Sequence, residues 1–112
     1  MTLPRTLSLG AALLAVATAG AVLPAEAKKA RCFTTDDGYF QCTFTALDKR
    51  GSFRIEARGY PAYTLEIDQP GFAFGYVEIG GRSISLPGQY VRGSDDPACW
   101  SNPETDTKIC AW

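Results

Sequence analysis

The N-terminal segment of the chain, residues 1–27, limits both the size and the chemical environment of the fold that follows it. A basic residue precedes an apolar run over residues 7–23, and the segment ends in the sequence PAEA, a small-x-small cleavage pattern. The apolar run is shorter than the roughly 20 residues of a membrane span. We therefore predict a signal peptide over 1–27, cleaved near Ala27, and a single mature β domain over 28–112.

Export predicts a secreted or periplasmic protein whose cysteines are oxidised, because thiols form disulfides outside the reducing cytosol. No membrane association is expected of the mature form. A domain of this size gains only a few kcal/mol of net stability from its core, so covalent crosslinks are expected. The chain has four cysteines that can supply them, namely Cys32, Cys42, Cys99 and Cys110.

The charge of the chain is balanced. It carries 11 Lys and Arg against 12 Asp and Glu, for a net charge of −1. Such a balance gives no electrostatic attraction to nucleic acid or to an anionic membrane. No nucleic-acid partner is therefore predicted, and the oligomeric state is left open.

The mature segment shows short alternating runs separated by Gly, Pro and Asp, a pattern typical of a β sandwich or barrel. In the first clear run, Phe53, Ile55 and Ala57 share the face expected to meet the core. Further runs follow at 63–68, 72–79, 82–86 and 89–92, with Ile84 and Leu86 expected to point inward. We predict an all-β fold, a small antiparallel sandwich or partly open barrel of about seven or eight short strands.

The first two cysteines flank one turn sequence. If Cys32 lies opposite Cys42 on adjacent antiparallel strands, Thr35 pairs with Tyr39 and residues 36–38 form the loop. The loop sequence Asp-Asp-Gly ends in glycine, at the position where a left-handed residue closes the bulge. The pattern therefore predicts a disulfide-bonded hairpin.

The last two cysteines flank another turn. Pairing Cys99 with Cys110 places Asn102 opposite Thr107 around the sequence PETD. Asn followed by Pro suits the first two positions of a type I turn. A second disulfide-bonded hairpin is therefore predicted near the C-terminus.

Four cysteines allow three connectivities. The main alternative to local pairing joins the first hairpin to the last, for example Cys32–Cys110 with Cys42–Cys99. We predict the local pairing because two independent turn sequences agree with it. Each local bridge closes a short loop and should stabilise the fold by about 3 kcal/mol.

The sequence offers little catalytic chemistry. It contains no histidine, which removes His-based triads and His-containing metal sites. Oxidised cysteines supply neither a nucleophile nor zinc ligands. The acidic residues Asp95, Asp96, Glu104 and Asp106 could converge on Ca²⁺, although Asp is common in turns. We predict no catalytic residues, no metal site and no cofactor, and we do not expect an enzyme.

Aromatic residues make up 12% of the chain and are the best indication of a binding surface. In the strand 72–79 (FAFGYVEI) the three aromatic residues share one face, and Val77 and Ile79 share the other. The interpretation we favour buries the aromatics and uses Gly75 as a bulge. The alternative leaves them as an exposed stripe. The candidate binding aromatics are Phe72, Phe74, Tyr76, Trp100 and Trp112, of which Trp112 either packs on the last disulfide or stands exposed.

The predicted function is that of a non-catalytic binding or interaction module for a protein or glycan partner. One alternative is an inhibitor of a secreted hydrolase that presents a disulfide-stiffened loop, at 102–107 or 93–97. A second alternative is an enzyme built on carboxylates. The exposure of the aromatic residues discriminates among them, because a contiguous exposed patch favours binding.

Overall fold

The computed structural model describes residues 27–112, and the predicted signal peptide lies outside them except for Ala27. The described chain is all β. Its nine strands are β1 (Ala27–Thr34), β2 (Gly38–Ala46), β3 (Phe53–Glu56), β4 (Ala62–Gln69), β5 (Phe72–Ile79), β6 (Arg82–Ser85), β7 (Tyr90–Arg92), β8 (Cys99–Asn102) and β9 (Thr107–Ala111). Across this part of the chain, no helix has the length and apolar character needed to cross a membrane.

Eight of the strands form a closed antiparallel barrel in the order β4-β3-β2-β1-β9-β8-β7-β5. The pairing of β4 with β5 closes the ring. The ninth strand, β6, pairs with the C-terminal half of β5, while β7 pairs with its N-terminal half. The all-β class is therefore confirmed, but the fold is a closed barrel and not a sandwich or a partly open barrel.

The alternating runs build the barrel interior as predicted. Phe53 and Ile55 are buried, and Ala57 packs against the core from its edge. Leu86 is also partly buried, but Ile84 is 44% exposed, so the burial predicted for it is wrong. Ile84 lies opposite Val77 and so on the same face of the sheet, but β6 lies beside the ring of eight strands, where the core does not cover this face.

The strand β5 presents its aromatic residues to solvent, and the burial we favoured for them is wrong. Phe72 and Phe74 are 39% and 43% exposed, and Tyr76 is half-buried. Ala73 and Val77, on the other face, belong to the core. The exposed stripe, which was the alternative interpretation, is the one that forms.

Gly75 does not mark a bulge. A Cβ atom at this position would lie 2.5 Å from a ring carbon of Tyr90 and 3.3 Å from a methyl group of Leu65. The residue is therefore small because the core packs directly on its backbone. The irregularity in this region lies on β4 instead, between Ile67 and Gln69.

Both predicted disulfides are present, Cys32–Cys42 and Cys99–Cys110. In the last hairpin the predicted register is also correct, since Cys99 lies opposite Cys110 and Asn102 opposite Thr107. The loop chemistry at this end of the molecule therefore determines the pairing of the strands.

In the first hairpin the predicted register is wrong by two residues. Cys32 lies opposite Phe40, so the disulfide to Cys42 crosses the two strands diagonally. The Thr34 hydroxyl accepts a hydrogen bond from the Asp37 N–H at 3.0 Å and donates to the Asp37 carboxylate at 2.9 Å. This side-chain turn starts the loop one residue early and leaves Gly38 as the left-handed residue, with φ of 76°.

Candidate binding groove

A cluster of aromatic and cationic side chains covers the outer face of β1 and its neighbours. Arg31 and Trp112 exchange two backbone hydrogen bonds, of 3.1 and 2.9 Å, which extend the β1–β9 ladder to the last residue of the chain. Side chains of directly opposite residues lie on the same face. The Arg31 guanidinium accordingly lies 5.7 Å from the centre of the Trp112 ring and 4.4 Å from that of Tyr39.

Three rings form a continuous aromatic wall. The ring centres of Phe33 and Tyr39 are 4.9 Å apart, and those of Tyr39 and Trp112 are 6.0 Å apart with 28° between their planes. Tyr39 is 60% exposed and Trp112 is 45% exposed. The Lys108 ammonium lies 6.0 Å from the centre of Phe33, at the end of the wall. Large aromatic surface therefore remains available to a partner.

This wall borders an open groove of about 480 Å³, which we call the aromatic groove. Its floor is the disulfide Cys99–Cys110, which faces outward because Trp100 and Ile109 beside it are buried in the barrel. The opposite wall is the loop from 93 to 96. The groove is lined by Phe33, Tyr39, Gly93, Ser94, Asp95, Asp96, Cys99, Ser101, Lys108, Cys110 and Trp112.

The acidic loop is held in place by short hydrogen bonds. The N–H of Gly93 donates to Cys99 at 2.7 Å, and the N–H of Cys99 donates to Asp96 at 3.0 Å. The Asp96 carboxylate accepts from Ala98 N–H and from the indole N–H of Trp112, both at 3.0 Å. Asp96 therefore connects the acidic wall to the aromatic wall and fixes the orientation of Trp112.

The structure separates the five candidate aromatics that the sequence grouped together. Trp112 joins the aromatic groove. Trp100 is only 3% exposed and packs in the core, so it does not contribute to a surface. Phe72, Phe74 and Tyr76 lie on β5, four strands from β1 in either direction around the ring, and therefore on the opposite side of the barrel.

Sequence reasoning missed Arg31, Phe33 and Tyr39 as components of a site. Phe33 lies directly opposite Tyr39 in the observed register. The register predicted from the cysteines places Thr35 in that position, so it separates the two rings. The alternation of β1 and β2 assigns these residues to the outer face and was the available signal for the site. Which of them lie opposite one another depends on the strand register, and the turn residues determine that register.

Three carboxylates outside the groove have structural partners. Arg54 donates to Glu78 at 2.7 Å and lies 3.6 Å from Glu56, and the hydrogen bond to Glu78 is the main cause that raises the pKa of Arg54 above its ordinary value. Hydrogen bonds from the Ser52 hydroxyl and from backbone N–H groups lower the pKa of Asp48. These acids stabilise a strand pair and a turn.

The convergence of acidic residues on a calcium ion does not occur. Within residues 27–112, no three His, Cys, Asp or Glu side chains come together in an arrangement that could hold a metal ion. Asp96 is instead engaged with Trp112 and Ala98. The calcium alternative is thereby withdrawn.

In comparisons with known proteins, no protein-family model, no curated protein and no solved structure matches this chain. The functional argument therefore depends on the geometry and chemistry of the site.

Proposed function

We propose that this protein is a non-catalytic binding module and that its aromatic groove holds a sugar ring of a glycan. The observation that carries the proposal is the pairing of an exposed aromatic wall with a wall of carboxylates and hydroxyls across one groove. Sugar rings have apolar C–H faces that pack on aromatic rings and hydroxyls that donate to carboxylates. Such a combination of apolar surface and a few placed polar groups is typical of small-ligand sites.

The groove is rigid before a ligand arrives. The floor of the groove is a disulfide bond, and a hydrogen bond to Asp96 holds the Trp112 indole. Tyr39 packs between Phe33 and the Arg31 guanidinium. Side chains that are already ordered lose little conformational entropy on binding. The arrangement therefore supports recognition of a weakly binding ligand such as a single sugar.

We further propose that the protein acts in the periplasm or outside the cell after removal of its signal peptide. The two disulfides are consistent with an oxidising compartment of this kind. The glycans of the cell envelope or of the surrounding medium are accessible there.

A glycan array probed with the purified protein tests the proposal. The variant is Tyr39→Ala, and the matched control is Phe74→Ala, which removes another exposed aromatic ring from the opposite side of the barrel. We expect Tyr39→Ala to weaken binding about tenfold or more, as the loss of a central aromatic contact does, and the control to bind like the wild type. Absence of any bound glycan, or a loss confined to Phe74→Ala, would overturn the proposal.

A second candidate function is inhibition of a secreted hydrolase by the last hairpin loop. Residues 103–106 are fully on the surface, yet the loop is anchored by Asn102, which is 1% exposed. The Asn102 amide donates to Pro87 at 2.7 Å and accepts from the N–H of Glu104 at 3.0 Å. A rigid, exposed loop suits a protease site. Inhibition that survives Tyr39→Ala but is lost when residues 103–106 are replaced by glycine and serine would favour this function.

A further inference from the structure

A second concave site lies at one end of the barrel, and its lining has one residue, Lys108, in common with the aromatic groove. It is a cavity of about 230 Å³, which we call the barrel-mouth cavity. The β1–β2 turn, the start of β4, the β5–β6 hairpin and the start of β9 surround it. It is lined by Thr34, Thr35, Asp36, Asp37, Pro61, Tyr63, Val77, Ile79, Leu86, Tyr90, Thr105, Thr107, Lys108 and Ile109.

Two buried phenols face an interior that also contains the buried Thr34 hydroxyl and several apolar side chains. Tyr63 is 8% exposed and Tyr90 is 3% exposed. Within residues 27–112 the Tyr90 hydroxyl forms no side-chain hydrogen bond, although buried polar groups are almost always paired. A polar atom in the cavity would satisfy this hydroxyl, whereas an entirely apolar occupant would leave it unpaired.

The rim of the cavity is acidic. Burial is the main cause that raises the pKa of Tyr63 to about 12, and the negative charges of Asp37 and Asp36 raise it further, against a lowering hydrogen bond from Thr34. The potential of the two carboxylates therefore reaches the cavity wall. Lys108 also lines the cavity, but its ammonium lies over Phe33 on the outer face of the barrel.

We propose that the barrel-mouth cavity binds a small organic ammonium ion, with its apolar body inside and its ammonium beside Asp36 and Asp37. Val77, Ile79 and Leu86 contact the body, and the phenol oxygens accept hydrogen bonds from the N–H groups. A cavity of about 150 Å³ already holds benzene. This larger cavity has room for one ring with a short chain, and the negative potential that disfavours a phenolate favours a cation.

Amide chemical shifts of the purified ¹⁵N-labelled protein test the proposal with three probes of matched shape. These are phenethylamine, the neutral 2-phenylethanol and the anionic 3-phenylpropanoate. We expect phenethylamine to shift amides of residues 34–37 and 77–79, the alcohol to bind about tenfold more weakly, and the anion to show no saturable shift. Equal affinity for all three, shifts confined to the aromatic groove, or no shift at 20 mM amine would overturn the proposal.

Three variants localise the binding. Asp36→Asn should weaken the amine about fivefold and leave the alcohol unchanged, because it removes a rim charge from an exposed turn. Ile79→Trp should block the cavity, whereas Ile84→Trp, a matched change on the same hairpin outside the cavity, should bind like the wild type. Equal effects of the two tryptophans would refute the assignment. Tyr39→Ala should leave amine binding intact. The proposals for the barrel-mouth cavity and for the aromatic groove can therefore be refuted independently.

Discussion

The first and last hairpins contain the same covalent bond on opposite faces of the barrel wall. Cys32 and Cys42 are 0% and 4% exposed and belong to the core. The disulfide Cys99–Cys110 lies on the outer face and forms the floor of the aromatic groove, where Cys110 is 1% exposed and Cys99 is half-buried. The comparison shows that the first disulfide fills part of the core, whereas the second fixes the positions of the residues that line the groove. The two bonds should therefore differ in what is lost when each is removed.

The largest effect is expected from the double substitution Cys32→Ala with Cys42→Ala. The bridge spans a sequence separation of 10 residues, so its loss should cost about 3 kcal/mol of chain entropy. Removal of two buried sulfur atoms adds a packing loss, for a total of about 3–5 kcal/mol. Urea or thermal unfolding followed by circular dichroism would measure this. A loss below that of the other double variant would contradict the core role.

The double substitution Cys99→Ala with Cys110→Ala should cost about 3 kcal/mol of chain entropy, since its loop is of similar length. Its packing loss should be smaller than that of the first pair, because Cys110 is 1% exposed but neither cysteine belongs to the core cluster. Its distinctive effect should be on binding. At a temperature where the variant is still folded, we expect the glycan affinity to fall, because the groove floor and the acidic loop loosen. The first double variant, when folded, should retain its affinity. The opposite pattern would refute the division of roles.

The sequence predicts the strands and the disulfides well because both follow from local patterns. The strand at 72–79 needs only alternation, and the register of the last hairpin needs only its turn residues. For the first hairpin, the same kind of local pattern predicts the wrong register. There the contact between Thr34 and Asp37 moves the loop, and cysteine spacing does not reveal it.

The order of the strands around the barrel and the composition of the aromatic groove depend on contacts between residues distant in sequence. The barrel closes through β4 and β5, yet its full order requires β1 to pair with β9 at the other end of the chain. The small size of Gly75 is explained by the Tyr90 ring. The aromatic groove exists only because Arg31 lies opposite Trp112. Alternation assigns residues to faces, but it does not state which strands will be neighbours.

The two hairpin turns also differ in what their carboxylates face, and this predicts a pH dependence. The acidic residues of the last turn lie on the surface and that turn is anchored by the neutral amide of Asn102, whereas the first turn places Asp36 and Asp37 near the Tyr63 phenol, whose burial is the larger cause of its raised pKa. In the folded protein the pKa of Tyr63 is raised to about 12, against about 10 when unfolded. Above pH 10 the unfolded chain therefore loses a proton that the folded chain keeps, so the contribution of Tyr63 to stability is constant below pH 10 and falls toward pH 12.

The expected loss from this group is about 1–2 kcal/mol, after allowance for partial solvent screening. The variant Tyr63→Phe should lose correspondingly less stability between pH 10 and 12, measured as the free energy of unfolding in urea at each pH. Asn102→Ala, which removes the neutral amide that anchors the last turn, should lower stability by the same amount at every pH. If the stabilities of Tyr63→Phe and the wild type fall in parallel, the pKa of Tyr63 is not raised in the folded protein, so neither burial nor the carboxylates of the first turn act on this phenol. A parallel fall would thereby also remove the electrostatic support for a cation in the barrel mouth.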